Sequence, residues 1–327
     1  MLQIALVGIG AGTASALLFA SIASGSALSV VLFYVASLPI LIGTIGWSTL
    51  AGLIAAAVAA IGLGMVIDWR FLIAFTLGVG APAWWLGYLA MLARPAGPPD
   101  ADGNPGEVEW YPAGRLVLWT AILGALGVAI MVPYLGFDKQ TFEAALRGSF
   151  ERMLRATPGP DGTLQIPGVK DAKTLLDLLV AYMPLAAALL GTVVHMFNLW
   201  LAGRVVRMSG RLRRPWPDLP SMEFPPIAAL LIAIALAGSF LPDLAGVISG
   251  IFAVALLIAY GVLGLAVIHA ITRGLGARPV ILGVVYAVLV LQGWPILVFS
   301  LLGLIDTAID LRGRVARWRG KPTNNQT

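Results

Sequence analysis

The sequence predicts an all-α, polytopic transmembrane helical bundle of about eight to nine spans, with a last segment that is broken or re-entrant. Three observations predict it. Hydrophobic residues make up 59% of the chain and charged residues 11%, whereas a soluble domain carries roughly 25% charged residues. Apolar stretches recur along the whole length, each long enough to cross a hydrocarbon core of roughly 30 Å at about 1.5 Å per residue. The net charge of +5 gathers in the 204 to 214 loop and in a tail with Arg312, Arg314, Arg317, Arg319 and Lys321. Dense Lys/Arg beside a span marks the cytoplasmic side, so the basicity needs no nucleic-acid partner.

The first segment, residues 2 to 23, carries Gly8, Gly12, Ala16 and Ala20 at every fourth position. Such a stripe lets another helix approach backbone to backbone, either within the chain or on a separate subunit. Lacking a basic n-region, this segment reads as a retained helix and not as a cleaved signal. Residues 27 to 45 form the second span, with Pro39 near its end. The third, 47 to 67, repeats the small stripe at Gly52, Ala56, Ala60 and Gly64. Residues 71 to 92 return, and Gly78, Gly80 and Pro82 permit a bend there.

Residues 93 to 114 are rich in Pro, Gly and Asp and read as a flexible loop. Residues 115 to 136 form the fifth span. The external segment 137 to 173 opens with an amphipathic stretch in which Phe142, Leu146, Phe150, Met153 and Leu154 fall near helical spacing. It predicts a helix that lies on the membrane or forms a solvated hairpin arm. The sixth span starts at Leu175, is kinked by Pro184, and ends in the basic cytoplasmic loop 204 to 223. Spans 225 to 241 and 245 to 271 follow. Residues 279 to 304 pose a parity problem, because one straight crossing would put the basic tail opposite the basic loop. A break at Gln292-Gly293-Trp294-Pro295 would return the chain to the face it left; so would a failure of 225 to 241 to cross. Domain organisation is thus a single membrane domain, 1 to 311, with a basic cytoplasmic tail, 312 to 327.

Chemistry is sparse. Cysteine is absent, which removes disulfides, thiolate metal sites and a thiol nucleophile. The two histidines, His195 and His269, stand without an HxxxH, HExxH or carboxylate cluster, so no metal site is expected and no cofactor is implied. Neither a GxxxxGK[ST] phosphate loop nor a GxSxG elbow occurs, which argues against an enzyme. Within the long sixth segment, Ala188, Gly191, Thr192, His195, Asn198 and Ala202 share one face, which should look into protein because unpaired polar groups are costly in lipid. Polar and aromatic groups at membrane depth make His195, Asn198, Gln292, Trp294 and Tyr260 the candidate ligand-binding residues. Trp84, Trp85 and Tyr182 are weaker candidates, since such residues commonly anchor span ends.

The stretch LPILIGTIGWSTLAGLIAAAVAAIGLGMVIDWRFLIAFTLGVGAPAWWLGYLAML has a characteristic order: Leu-Pro, a Gly-rich turn, an Ala-rich helix, then a Gly/Pro-broken helix ending Leu-Gly-Tyr. With the late LIDTAIDLRGR, it resembles the YybS-like bacterial membrane proteins over most of residues 1 to 313. That family is similar in turn to the substrate-binding S components of energy-coupling-factor transporters and to MreD-type cell-shape proteins. The resemblance implies that Gly8, Gly12, Ala16 and Ala20 would dock a coupling subunit, as the first-helix stripe does in S components. No vitamin-specific motif transfers. Three expectations follow: a small-molecule-binding transporter subunit energised by partner proteins in the bacterial inner membrane; a membrane scaffold that recruits envelope or division proteins through its basic loop; and, needing a polar cluster the sequence lacks, a membrane enzyme. Membrane lipid is a partner under each.

Overall fold

The computed structural model describes residues 1–97, 108–155, 157–158 and 164–320. Its helices are α1 (Leu2–Ala20), α2 (Ala27–Tyr34), α3 (Leu38–Gly46), α4 (Thr49–Val66), α5 (Trp69–Phe75), α6 (Ala81–Ala90), α7 (Ala113–Ala129), α8 (Met131–Leu135), α9 (Lys139–Met153), α10 (Ala172–Met208), α11 (Ile227–Gly238), α12 (Asp243–Ile271), α13 (Arg278–Gln292), α14 (Ile296–Ile309) and α15 (Leu311–Trp318). Seven helical stretches among the described residues are long and apolar enough to cross a membrane, and α11, α13 and α14 are shorter apolar helices. The protein is therefore an all-α polytopic membrane protein, consistent with seven to nine spans. Contacts divide it into two compact units, one made of Met1–Thr120, Val193–Pro226 and Ala259–Thr327, the other of Ala121–Thr192 and Ile227–Ile258.

In the first unit, α1 lies along α4 in the same direction. A Cβ at Gly8 would stand 3.0 Å from the Ala51 carbonyl oxygen, and one at Gly12 would stand 2.5 Å from that of Ala55. Small residues thus bring two backbones together, which is how helices gain contact in lipid. The predicted second span is two helices. Pro39 cannot donate to the Val35 carbonyl and its ring clashes there, so α2 ends at Tyr34 and α3 begins at Leu38. The carbonyls released by this break are recovered: the Asn198 amide donates to Tyr34 O at 2.8 Å and the Ser15 hydroxyl to Ala36 O at 2.5 Å. The predicted bend in the fourth span is a stretch of π-helix, Thr76–Gly80, between α5 and α6.

The expectation of a flexible loop at 93 to 114 needs correcting at its ends. Strands β1 (Ala93–Pro95) and β2 (Val108–Trp110) pair antiparallel, and the Arg94 guanidinium grips Glu109 at 2.7 Å; residues 98–107 of that stretch lie outside the described residues. The Pro-rich segment after the basic loop folds inward. Met222 and Phe224 are buried, and the Phe224 ring meets Tyr260 edge-on at 5.1 Å.

The parity problem finds a structural answer. Gly293 adopts φ 70°, α13 stops at Gln292, and α14 starts at Ile296. Where α14 crosses α12, a Cβ on Gly264 would stand 1.9 Å from Phe299 O. The tail then comes back to the end of α12 from which α13 departs, because the Arg319 guanidinium donates to Ile271 O at 2.6 Å. The basic loop reaches the same place: Arg273 pairs with Asp218 at 2.6 Å, and Arg312 donates to Pro220 O and Met222 O, each at 2.9 Å. Loop 204 to 223 and residues 312 to 320 therefore share one end of this unit; residues 321–327 of the tail lie outside the described residues.

In the second unit α9 is not a lone surface helix. At 37 residues and about 1.5 Å per residue, α10 exceeds the membrane core, and its first turns pair with α9 as an arm. Phe150, with Leu146 and Leu154, packs on Leu176 and Val180, and Arg147 pairs with Asp177. Strands β3 (Thr157–Pro158) and β4 (Leu164–Gln165) join the two helices. Deeper in, α7 and α10 meet at Gly124, whose added Cβ would fall 2.6 Å from the Thr192 nitrogen.

Candidate functional site

The five ligand-binding candidates fall in three settings. Asn198 is fully buried and its amide holds Tyr34 O at 2.8 Å and Val194 O at 2.9 Å, a structural pin at the α2–α3 break. His195, one turn earlier on α10, is 7% exposed. Tyr260 is fully buried against Phe224, with Thr307 beside its hydroxyl. Gln292 and Trp294 lie at the α13–α14 turn and are exposed, Trp294 at 63%. No contact among the described residues draws the five into one pocket.

The small stripe has an occupant. Gly8 and Gly12 are buried against α4 of the same chain, while Ala16 and Ala20 are half-buried. The intramolecular reading of the stripe is the one this packing follows. Trp84 donates to Thr49 O at 3.2 Å, and Trp85 meets Tyr88 at a tilt and Trp119 edge-on; Tyr182 is exposed.

Sequence reasoning missed a cleft of about 300 Å³ in the second unit. It lies where Pro184 kinks α10. A proline lacks the N–H that would bond the carbonyl four residues earlier, so Val180 O loses its helical donor at a site that Val180, Ala181, Pro184 and Leu185 all line. Across from them stand Leu241, Gly246 and Val247, and the rim carries Lys139, Glu143 and Asp243. Lys139 and Glu143 hold each other loosely at 3.9 Å. Asp243 opens α12 with φ 59°, a left-handed conformation that costs a non-glycine residue about 1 kcal/mol. The cleft thus joins apolar walls to one cation and two carboxylates, which suits a small amphipathic ligand with a charged head. The signal available in the sequence was Pro184 itself, a kink within a span next to an amphipathic segment.

A second, open cleft of about 330 Å³ lies at the hairpin of the first unit, lined by Arg94, Glu109, Tyr111 and Arg115 among others. Among the described residues no group of three or more His, Cys, Asp or Glu is placed to hold a metal ion.

Seven apolar helical stretches of spanning length among the described residues define a multi-pass membrane protein. The model of the family described as predicted membrane protein DUF2232 matches residues 13–307. The chain belongs to that family, the YybS-like membrane proteins. No curated protein and no solved structure matches the chain.

Proposed function

We propose that the chain is a non-enzymatic, small-molecule-binding subunit of a membrane transporter, energised by partner proteins. One observation carries this reading: the cleft at the Pro184 kink, with apolar walls and Lys139, Glu143 and Asp243 at its rim. No phosphate loop occurs in the sequence, so energy for transport would come from a partner. The positive-inside rule orients the chain. Under it the end bearing Arg204, Arg207, Arg211, Arg213 and Arg214 faces the cytoplasm of a bacterial inner membrane with the N-terminus, and the α9 arm faces outward. The cleft would then take its ligand from the external side, as an S-component-like subunit does.

Mass spectrometry of the gently solubilised protein, scoring bound metabolites and copurifying proteins together, tests this. The expected result is a stoichiometric small molecule with an ATPase partner, and retention that falls at least severalfold in Glu143→Gln or Asp243→Asn while thermal stability stays within about 0.5 kcal/mol. Recovery of envelope or division proteins with no metabolite would overturn the proposal in favour of an MreD-like scaffold.

A further inference from the structure

Two groups stand out among the arginines at the loop end of the first unit. Arg273, Arg312 and Arg317 are neutralised by Asp218, Asp306 and Asp310 at 2.6, 2.8 and 3.6 Å. Arg204, Arg207 and Arg211 have no carboxylate partner among the described residues and are exposed. They rest on indoles instead. The guanidinium carbons of Arg204 and Arg207 lie 5.7 and 5.2 Å from the Trp216 ring centroid, and that of Arg211 lies 4.4 Å from the Trp47 centroid.

This arrangement is built by the chain. Helix α10 ends in a Schellman motif: Gly210 takes φ 70°, its N–H donates to Arg207 O at 3.0 Å, and the Arg211 N–H donates to Val206 O at 3.1 Å. Arg211 is thereby fixed beside the last helical turn. Arg204 and Arg207 are three apart and share a helix face. Stacking engages the flat face of a guanidinium and leaves its N–H edge free, the edge that matches a planar or tetrahedral oxyanion.

The approach to these arginines is apolar. Phe197, Trp200 and Arg204 follow at steps of three and four along α10, so they lie on one side of it. Phe197 and Trp200 are 48% and 47% exposed, with ring centroids 6.0 Å apart. An exposed apolar track running up a membrane helix into unneutralised guanidinium groups matches a molecule with an acyl chain below and a phosphate above.

We propose that Arg204, Arg207 and Arg211, braced by Trp216 and Trp47, bind the phosphate of an anionic phospholipid headgroup whose acyl chain lies along Phe197 and Trp200. The proposal is independent of the ligand in the Pro184 cleft.

Native mass spectrometry of the full-length protein in detergent, titrated with phosphatidylglycerol or phosphatidylcholine, tests it. Phosphatidylglycerol binds preferentially to the wild type. The triple variant Arg204→Gln/Arg207→Gln/Arg211→Gln binds it roughly a hundredfold more weakly, at about 1 kcal/mol per arginine near an anionic surface. Trp216→Leu, which keeps the charge and removes the brace, weakens binding severalfold, and Arg152→Gln leaves it unchanged. Should the triple variant fail to elute as a single species, the three single Arg→Gln variants carry the same test, each with a severalfold loss expected. Equal binding by the triple or by all three single variants overturns the proposal, as does equal binding of phosphatidylcholine. A Trp216→Leu variant that binds like the wild type would reduce the site to bare surface charge and overturn it as built. Displacement by millimolar inorganic phosphate would identify a soluble anion as the occupant and overturn the lipid assignment.

Discussion

Two prolines interrupt two apolar segments, with opposite consequences. At Pro39 in the first unit the released carbonyls of Tyr34 and Ala36 are taken up by Asn198 and Ser15, and the break disappears into a filled core. At Pro184 in the second unit the kink lines an open cleft, with charged residues at its rim. The same backbone defect is closed in one region and left available in the other. Under the proposed function an unfilled kink becomes a site, and Lys139, Glu143 and Asp243 at its rim would set what enters.

If the break at Pro39 is closed by Asn198 and Ser15, the stability of the first unit should depend on single contacts of this kind. The largest effect is expected from Arg312→Ala. It strands Asp306, whose side chain is 3% exposed, and frees the backbone carbonyls of Pro220 and Met222. Breaking a buried pair by removing one partner costs about 3–5 kcal/mol, so a thermal melt in detergent should fall by many degrees or show no folded protein. A melt like that of the wild type would mean the pair is solvated and the contrast between units overdrawn.

Next is Gly264→Ala, whose new methyl would meet Phe299 O and force α12 and α14 apart, at about 1–3 kcal/mol for overpacking. Gly283→Ala, with nothing within 4 Å, is the control on α13 and should be neutral or slightly stabilising. Asn198→Leu follows, at about 1–2 kcal/mol, because Tyr34 O loses its donor in a buried site; it should leave the metabolite content of the purified protein unchanged. Loss of a bound metabolite in Asn198→Leu would return the site to the residues chosen from the sequence.

The smallest effect is on the arm. Hydrogen bonds from the backbone and side chain of Thr141 hold the Asp138 carboxyl below its ordinary 3.8, and those from the side chain and backbone of Thr174 do the same for Asp171. A carboxyl lowered on folding contributes stability that is present above its unfolded value and lost as pH falls through the folded one. Acidification below 3.8 should therefore loosen α9 and the first turns of α10. Hydrogen exchange, corrected for intrinsic rate, would show this as faster exchange in the arm than in α4. Equal change in both would break the comparison from the other side.

Helix positions were largely legible, because a span advertises itself by length and apolarity, and the break at Gln292–Pro295 was legible from Gly293 and Pro295. What sequence could not resolve was where each interruption leads. Pro39 and Pro184 look alike along the chain, and only the neighbours at a distance, Asn198 for one and Asp243 for the other, separate a repaired break from an open one. The candidate site depends on distant neighbours in the same way. Asn198 and Tyr260 were chosen for polarity at depth, and burial absorbed them into packing. In sequence the cleft residues Lys139 and Glu143 read as polar positions of the amphipathic segment, and Asp243 as part of a tight turn between spans. Periodicity also recognised the stripe of Gly8 and Gly12 without identifying what it faces.

That stripe bears on how the chain is made. The surface that receives Gly8 and Gly12 is Ala51 to Val58 of α4, which leaves the ribosome only after α2 and α3. Until then the first helix has been synthesised without its closest neighbour, its glycine groove open to lipid or to insertion machinery. A truncation that stops before α4 should leave α1 as a substrate for membrane quality control, and lengthening the chain through Val58 should be the step that rescues it.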